Sequence, residues 1–229
     1  MAVQAGAGFS LRIPETWFEF DVWRATRTGD LARMVDARLE ELPELRPHRS
    51  LILRGLRQLA EDAERRGAVY CAAAADRVDD DGMMLASLMV FSTVGMLEPA
   101  LNSVEAIAAQ LIAAGPSSAG SSGTGSSGTG SNGTGSDVPD ESAPWREVRV
   151  IELDAGRAVR VRGVSSLESP DGTQRLPIVS MQTLIPIPGS DDVLDVVLTS
   201  PLVSMAEGLL DLFDAISATL SWEPGPAPG

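Results

Sequence analysis

Residues 121–135 read SSGTG SSGTG SNGTG, two identical pentapeptides and a near copy, inside a Gly/Ser/Thr-rich stretch from Gly115 to Ala143. Such a run has no apolar surface to bury and is predicted to be a flexible coil. Asp137, Asp140 and Glu141 at its acidic end favour solvent. Whether this stretch joins two domains or interrupts one decides the fold, and its flanks supply the answer.

Working back from it, a helix is predicted over Ser103–Ala114, with Asn102 as N-cap and Glu105 three residues on in capping-box spacing. Before that lie two strands, Ala68–Arg77 and Met83–Val94, joined by the turn signal Asp79–Gly82. Met83–Val94 alternates poorly, which places it between two layers. Leu56, Leu59, Ala60 and Ala63 give an inner face to a helix over Ser50–Arg66, stopped by Gly67. Pro43 and Pro47 separate it from a helix over Asp30–Leu42, whose Leu31, Met34, Val35, Leu39 and Leu42 recur at helical spacing. A strand over Phe9–Ile13 ends at Pro14, and Trp17–Arg24 reads as a strand or an irregular connection.

Working forward, four strands are predicted at Glu147–Leu153, Arg157–Ser166, Pro177–Ile187 and Val193–Ser200. Asp154–Gly156, Pro170–Gly172 and Gly189–Asp192 between them carry turn chemistry. A helix follows over Met205–Leu220, with Ser204 and Glu207 as a capping box and Met205, Leu209, Leu212, Phe213, Ile216 and Leu220 on one apolar face.

Neither flank is complete. A four-strand meander with one helix leaves a sheet face bare, whereas one sheet shared by both flanks does not. Lengthening a connection this far costs about 1–2 kcal/mol of closure entropy, small against a domain stability of about 5–15 kcal/mol. The expectation is one α+β domain over residues 1–222. It has a largely antiparallel sheet of six to seven strands, packed helices, a disordered insertion at 115–143 and a disordered tail at 223–229.

Both ends of that domain carry a resemblance. Phe9–Trp17 (FSLRIPETW), Val193–Pro201 (VLDVVLTSP) and Leu209–Trp222 (LLDLFDAISATLSW) are together similar to the PsbP-like fold, in particular its bacterial DcrB-like branch. The resemblance implies a non-catalytic binding module. Proteins of this fold include photosystem-associated factors, envelope lipoproteins, a Ran-binding nuclear protein and chaperones that carry apolar helices of secreted effectors. The chain departs from the lipoprotein members in lacking a lipidation cysteine and a signal peptide at Met1–Gly8, and in its Gly/Ser/Thr insertion.

Composition narrows the chemistry. The 229 residues carry 32 acidic and 18 basic side chains, a formal charge of −14, which repels nucleic-acid phosphates and leaves a basic partner open. All basic residues are arginine, the usage of a GC-rich bacterial genome. The longest apolar passage, Met83–Leu97, is broken by Ser87, Ser92, Thr93 and Gly95, and a membrane helix needs about 20 apolar residues. A cytoplasmic protein with no membrane span is expected.

No catalytic, cofactor-binding or metal-binding residue is assigned. His48, the single histidine, lies between Pro47 and Arg49 with no nucleophile beside it and reads as a loop residue. Cys71, the single cysteine, sits among small apolar residues and reads as core. Asp79–Asp81 and Asp191–Asp192 lack the alternating ligands and distal glutamate of a calcium loop. The glycine-rich stretches lack a phosphate-binding Gly-Lys-Ser/Thr.

Two features remain as candidate partner surfaces. Arg46, Arg49, Arg54 and Arg57 form a basic cluster in an acidic chain, suited to bidentate contacts with phosphate or an acidic partner. Pairing with Asp36, Glu40, Glu41 and Glu44 is its alternative explanation. Met83, Met84, Met89 and Met96 cluster along one hairpin, and thioethers adapt to varied apolar partners. Core filling is theirs. The expected function is a non-enzymatic protein-binding or adaptor module, in a narrower form a chaperone for an apolar secreted or membrane client. A structural subunit of a larger assembly and a carboxylate- or metal-based enzyme are the alternatives, and a homodimer through an edge strand fits any of them.

Overall fold

The computed structural model describes residues 8–19, 21–22, 29–78, 82–94, 102–114, 144–168 and 175–223. Strands β1 (Phe9–Ser10) and β2 (Phe18–Glu19) precede helix α1 (Asp30–Glu41) and a 3-10 segment (Pro43–His48). Helix α2 (Arg49–Arg66), strands β3 (Ala68–Val78) and β4 (Gly82–Thr93) and helix α3 (Val104–Ala113) follow. Strands β5 (Trp145–Leu153), β6 (Gly156–Glu168), β7 (Arg175–Pro186) and β8 (Val193–Ser200) lead to helix α4 (Ala206–Ala218) and strand β9 (Ser221–Trp222).

Seven strands form one antiparallel sheet in the order β2-β3-β4-β8-β7-β6-β5, and β1 pairs with β9 in a small second sheet. The fold is α+β with four helices among the described residues, as the hydrophobic pattern predicts. The β4–β8 pairing joins strands from the two sides of residues 115–143, with Leu88 opposite Leu198. The insertion itself, the turn residues 79–81 and the tail 224–229 lie outside the described residues.

Period-two alternation sends the strands' side chains to two different covers. On one face Leu209, Phe213 and Ile216 of α4, with Leu220 just beyond it, pack onto Ala72, Leu88, Leu198, Met181 and Ala158. On the other face Leu31, Val35 and Leu39 of α1 and Ile52, Leu56 and Ala63 of α2 cover Cys71, Ala73, Ala75, Met89 and Phe91. The small side chains of β3 let cover approach it from both sides. Further along that second face, Val104 and Ala108 of α3 pack on Val159 of β6. Burying each large apolar side chain contributes about 1.5–3 kcal/mol.

Local signals account for most element ends. Gly67 takes the left-handed conformation (φ 72°) and donates its N–H to the carbonyls of Ala63 and Glu64, ending α2. Gly163 on β6 has φ 155°, and a Cβ there would lie 2.0 Å from the Trp145 carbonyl oxygen, so no larger residue fits. The expected caps shift. The α3 N-cap is Ser103, which accepts from the Ala106 N–H at 3.2 Å, not Asn102. The Ser204–Glu207 box does not form, because a 3-10 turn over Val203–Met205 runs directly into α4 and occupies that position. Of the early strands only Phe9–Ser10 and Phe18–Glu19 pair, and residues 20 and 23–28 lie outside the described part. Among the described residues no helix is long and apolar enough to cross a membrane.

Candidate functional site

Among the described residues the two helical covers of the second face form separate clusters. α1 and α2 lie over β3 and β4, and α3 lies over β5 and β6. On that face β7 and β8 present Ile178, Ser180, Gln182, Asp195 and Thr199, all only half-buried, while Val197 packs on the first cluster and Leu184 on the second. Register lines these residues up. Phe18, Ala73, Ser87, Thr199, Ser180, Gly163 and Arg146 stand opposite one another in turn, one row across all seven strands. The middle of that row is hydroxyls and small side chains, the composition of a surface that hydrogen-bonds rather than one that packs.

The polar groups form pairs. Ser87 and Thr199 hydroxyls lie 2.7 Å apart, and those of Ser165 and Ser180 lie 3.4 Å apart. Two rows away, Gln182 Nε2 donates to Asp195 Oδ2 at 3.0 Å, while Asp195 Oδ1 is buried and without a partner among the described residues. Burial pushes the Asp195 carboxyl up to about 6, against the lowering pull of the Gln182 hydrogen bond and the Arg66 charge. Phe91 stands opposite Asp195, and the Arg66 guanidinium stacks 4.5 Å above the Phe91 ring. At the far end of the row Pro144, Trp145, Arg146, Gly163, Ser165 and Ser180 line a shallow depression.

This arrangement can bind by hydrogen bonds along an extended strip. Asp195 and Thr199 are four residues apart on one strand, about 13 Å by strand rise, so the carboxyl is not a base for that hydroxyl. Among the described residues no three His, Cys, Asp or Glu side chains are grouped so that they could hold a metal ion.

The residues singled out from sequence lie elsewhere. Arg46, Arg49, Arg54 and Arg57 are all exposed, on the 3-10 segment and the first half of α2. Arg49 is held by a bidentate pair with Asp36 at 2.6 and 2.8 Å, which draws that carboxyl below its ordinary range. Arg46 Nε donates to the Leu39 carbonyl at 3.3 Å. Arg54 and Arg57 form no ion pair among the described residues.

The methionines divide. Met89 is buried under α1 and α2, whereas Met84 packs toward α4 on the opposite face. They do not share a surface. The Met83 side chain and Met96 lie outside the described part. His48 is exposed in the 3-10 segment, and burial pushes the Cys71 thiol up to about 12, leaving it protonated in the core. The strip escaped sequence reading, although one signal was present. Asp195 and Thr199 interrupt one side of VLDVVLTS while Leu194, Val196 and Leu198 keep the other apolar.

No protein-family model matches the chain, and no curated protein matches it. Among solved structures the chain is similar to LpqN, involved in cell envelope biogenesis of Mycobacterium tuberculosis. Identity is 11% and the TM-score 0.42, over 97% of this chain and 87% of that one.

Proposed function

We propose that the protein is a non-enzymatic binding or adaptor module, and that the strip between α2 and α3 receives an extended, polar segment of a partner protein. The observation that carries this reading is the row of hydroxyl and amide side chains left between two helical covers, with Asp195 Oδ1 buried and unsatisfied beside it. An unpaired buried acceptor is costly, and a donor brought by a partner would remove that cost. The formal charge of −14 favours a partner segment rich in basic residues. A chaperone for an apolar client is the weaker form, because Met84 and Met89 face opposite sides of the sheet and the strip is polar.

The PsbP-like, DcrB-like relationship belongs to the same proposal. Its support is that the segments carrying the resemblance meet, with Phe9 opposite Trp222 and Ser10 opposite Ser221. A cytoplasmic setting belongs to it as well, and fractionation of the native host tests that part.

The test is a pull-down of the tagged full chain from its native host, read by quantitative mass spectrometry. A stoichiometric partner lost on Ser180→Arg and retained on Arg54→Glu/Arg57→Glu is expected. The opposite pattern would move the binding surface to α2. One feature favours the second reading, a carboxylate-based enzyme: burial pushes the half-buried Asp195 carboxyl up to about 6, toward the range where a general acid or base works. A turnover activity abolished by Asp195→Asn would establish it and sink the adaptor reading.

A further inference from the structure

Strand β5 is the last strand of the seven, nine residues long, and no described residue pairs with its outer edge. At the other end of the sheet the two residues of β2 cover part of β3, whereas β5 is open along its whole length among the described residues. Three of the seven large apolar side chains exposed among the described residues lie on or beside it: Trp145 and Val150, on opposite faces of the strand, and Ile112 on α3. Charge on the strand is unbalanced in a specific way. Arg149 stands directly opposite Arg160, and Glu147 opposite Arg162. Glu147 serves both Arg149 and Arg162, the latter at 2.7 Å, while Arg160 is held by Asp214 of α4. Arg149 therefore meets a like charge on its inner side, which is unfavourable, and a second carboxylate on its open side would offset it.

The geometry points to a second copy of this chain as the occupant of that edge, paired antiparallel about a two-fold axis at Val148. In this register Glu147 of each copy faces Arg149 of the other, so both arginines gain that carboxylate. Val148 faces Val148, Arg146 faces Val150, and Trp145 faces Ile151. Neighbouring registers fail. Centring on Glu147 or Arg149 sets identical charges face to face, and centring on Val150 sets Arg149 against Ile151 and Glu147 against Leu153. The contact is isologous, closes at two copies and merges the two sheets into one. It lies apart from the Asp195 end of the strip, so this inference and the binding reading can fail separately.

Sedimentation velocity of the full chain over a concentration series tests it. A monomer–dimer equilibrium is expected, with Arg149→Glu giving a folded monomer. That substitution relieves the Arg149–Arg160 contact within the chain while setting the new carboxylate against Glu147 of the other copy. Oxidative trapping supplies the second readout. Val148→Cys is expected to give a disulfide-linked dimer, because facing residues in antiparallel strands have Cα atoms about 4.5–5.5 Å apart and a disulfide accepts about 4.4–6.8 Å. Val150→Cys, facing Arg146, should give none. The native Cys71 is buried and does not compete. A monomer at every concentration overturns the proposal, as does a dimer untouched by Arg149→Glu or trapped through Val150→Cys instead. A dimer unchanged by Asp195→Asn would leave the edge and the strip independent, as inferred.

Discussion

The sheet's two faces are built on opposite plans. Under α4 one apolar core runs from Ala72 on β3 to Ala158 on β6 without a break. Its polar exceptions are Ser200, Ser217 and a facing pair, Arg160, tied to Asp214, and Thr183. Burial draws the Arg160 guanidinium down to about 10. Across the sheet, the cover is two separate blocks with a polar strip between them. The difference teaches a division of labour. One face holds the chain together, and it also tolerates orphaned polar atoms on Arg160 and Thr183, while the other leaves β7 and β8 half-buried with Asp195 Oδ1 unpaired among the described residues.

Substitutions at Phe213 in the core and at Asp195 on the strip should therefore act in opposite directions. The largest effect is expected from Phe213→Ala, which empties the centre of the continuous core. It should cost about 3–5 kcal/mol in urea unfolding, enough to threaten folding. A smaller loss would mean that the α4 face is not the main source of stability. Asp195→Asn should act oppositely. Its folded carboxyl titrates at about 6, above the unfolded value, so the folded state holds a proton that the unfolded chain has released. Stability contributed by the protonated group is present below about pH 4 and lost as pH rises to about 6. Asparagine removes that loss and should add about 2–3 kcal/mol at about pH 7.5, with no gain at about pH 4. Equal effects at both pH values would exclude the titration. Thr199→Val, which removes one member of the Ser87–Thr199 pair, should cost about 1 kcal/mol. Arg54→Glu on the outer surface of α2 should change stability by under about 0.5 kcal/mol; a larger loss would mean that the basic cluster is structural.

Much of this architecture is legible in the residues. The long strands announce themselves by composition and the turn signals between them, three helices by period, α3 by its capping signal, and Gly67 by its chemistry. Short pieces do not. β9 is two residues directly after a helix, too brief for any alternation, and exists because Trp222 donates its indole N–H to the Ala155 carbonyl at 2.7 Å and Ser221 pairs with Ser10. The α3 cap moves by one because Ser103 and Asn102 are both good caps, and only the approach of the chain selects between them. The strip was hidden for a deeper reason. Alternation tells which residues of one strand share a face, but Ser87, Thr199, Ser180 and Gly163 become neighbours only through register, which no single strand encodes. The arginine cluster was visible as composition, yet composition does not reveal that Asp36 already holds Arg49.

The pairing of β1 with β9 has a topological consequence. Glu223 donates its N–H to the Gly8 carbonyl at 2.7 Å, so these two points of the chain already touch. A permuted gene that opens within residues 115–143 and links Glu223 to Gly8 would keep every strand pairing described. The order in which the ribosome delivers the two flanks is thus separable from the fold they reach. Chain order becomes a variable that can be rewritten, and in the permuted molecule the sheet's contributions from 8–114 and 144–223 would emerge in reverse.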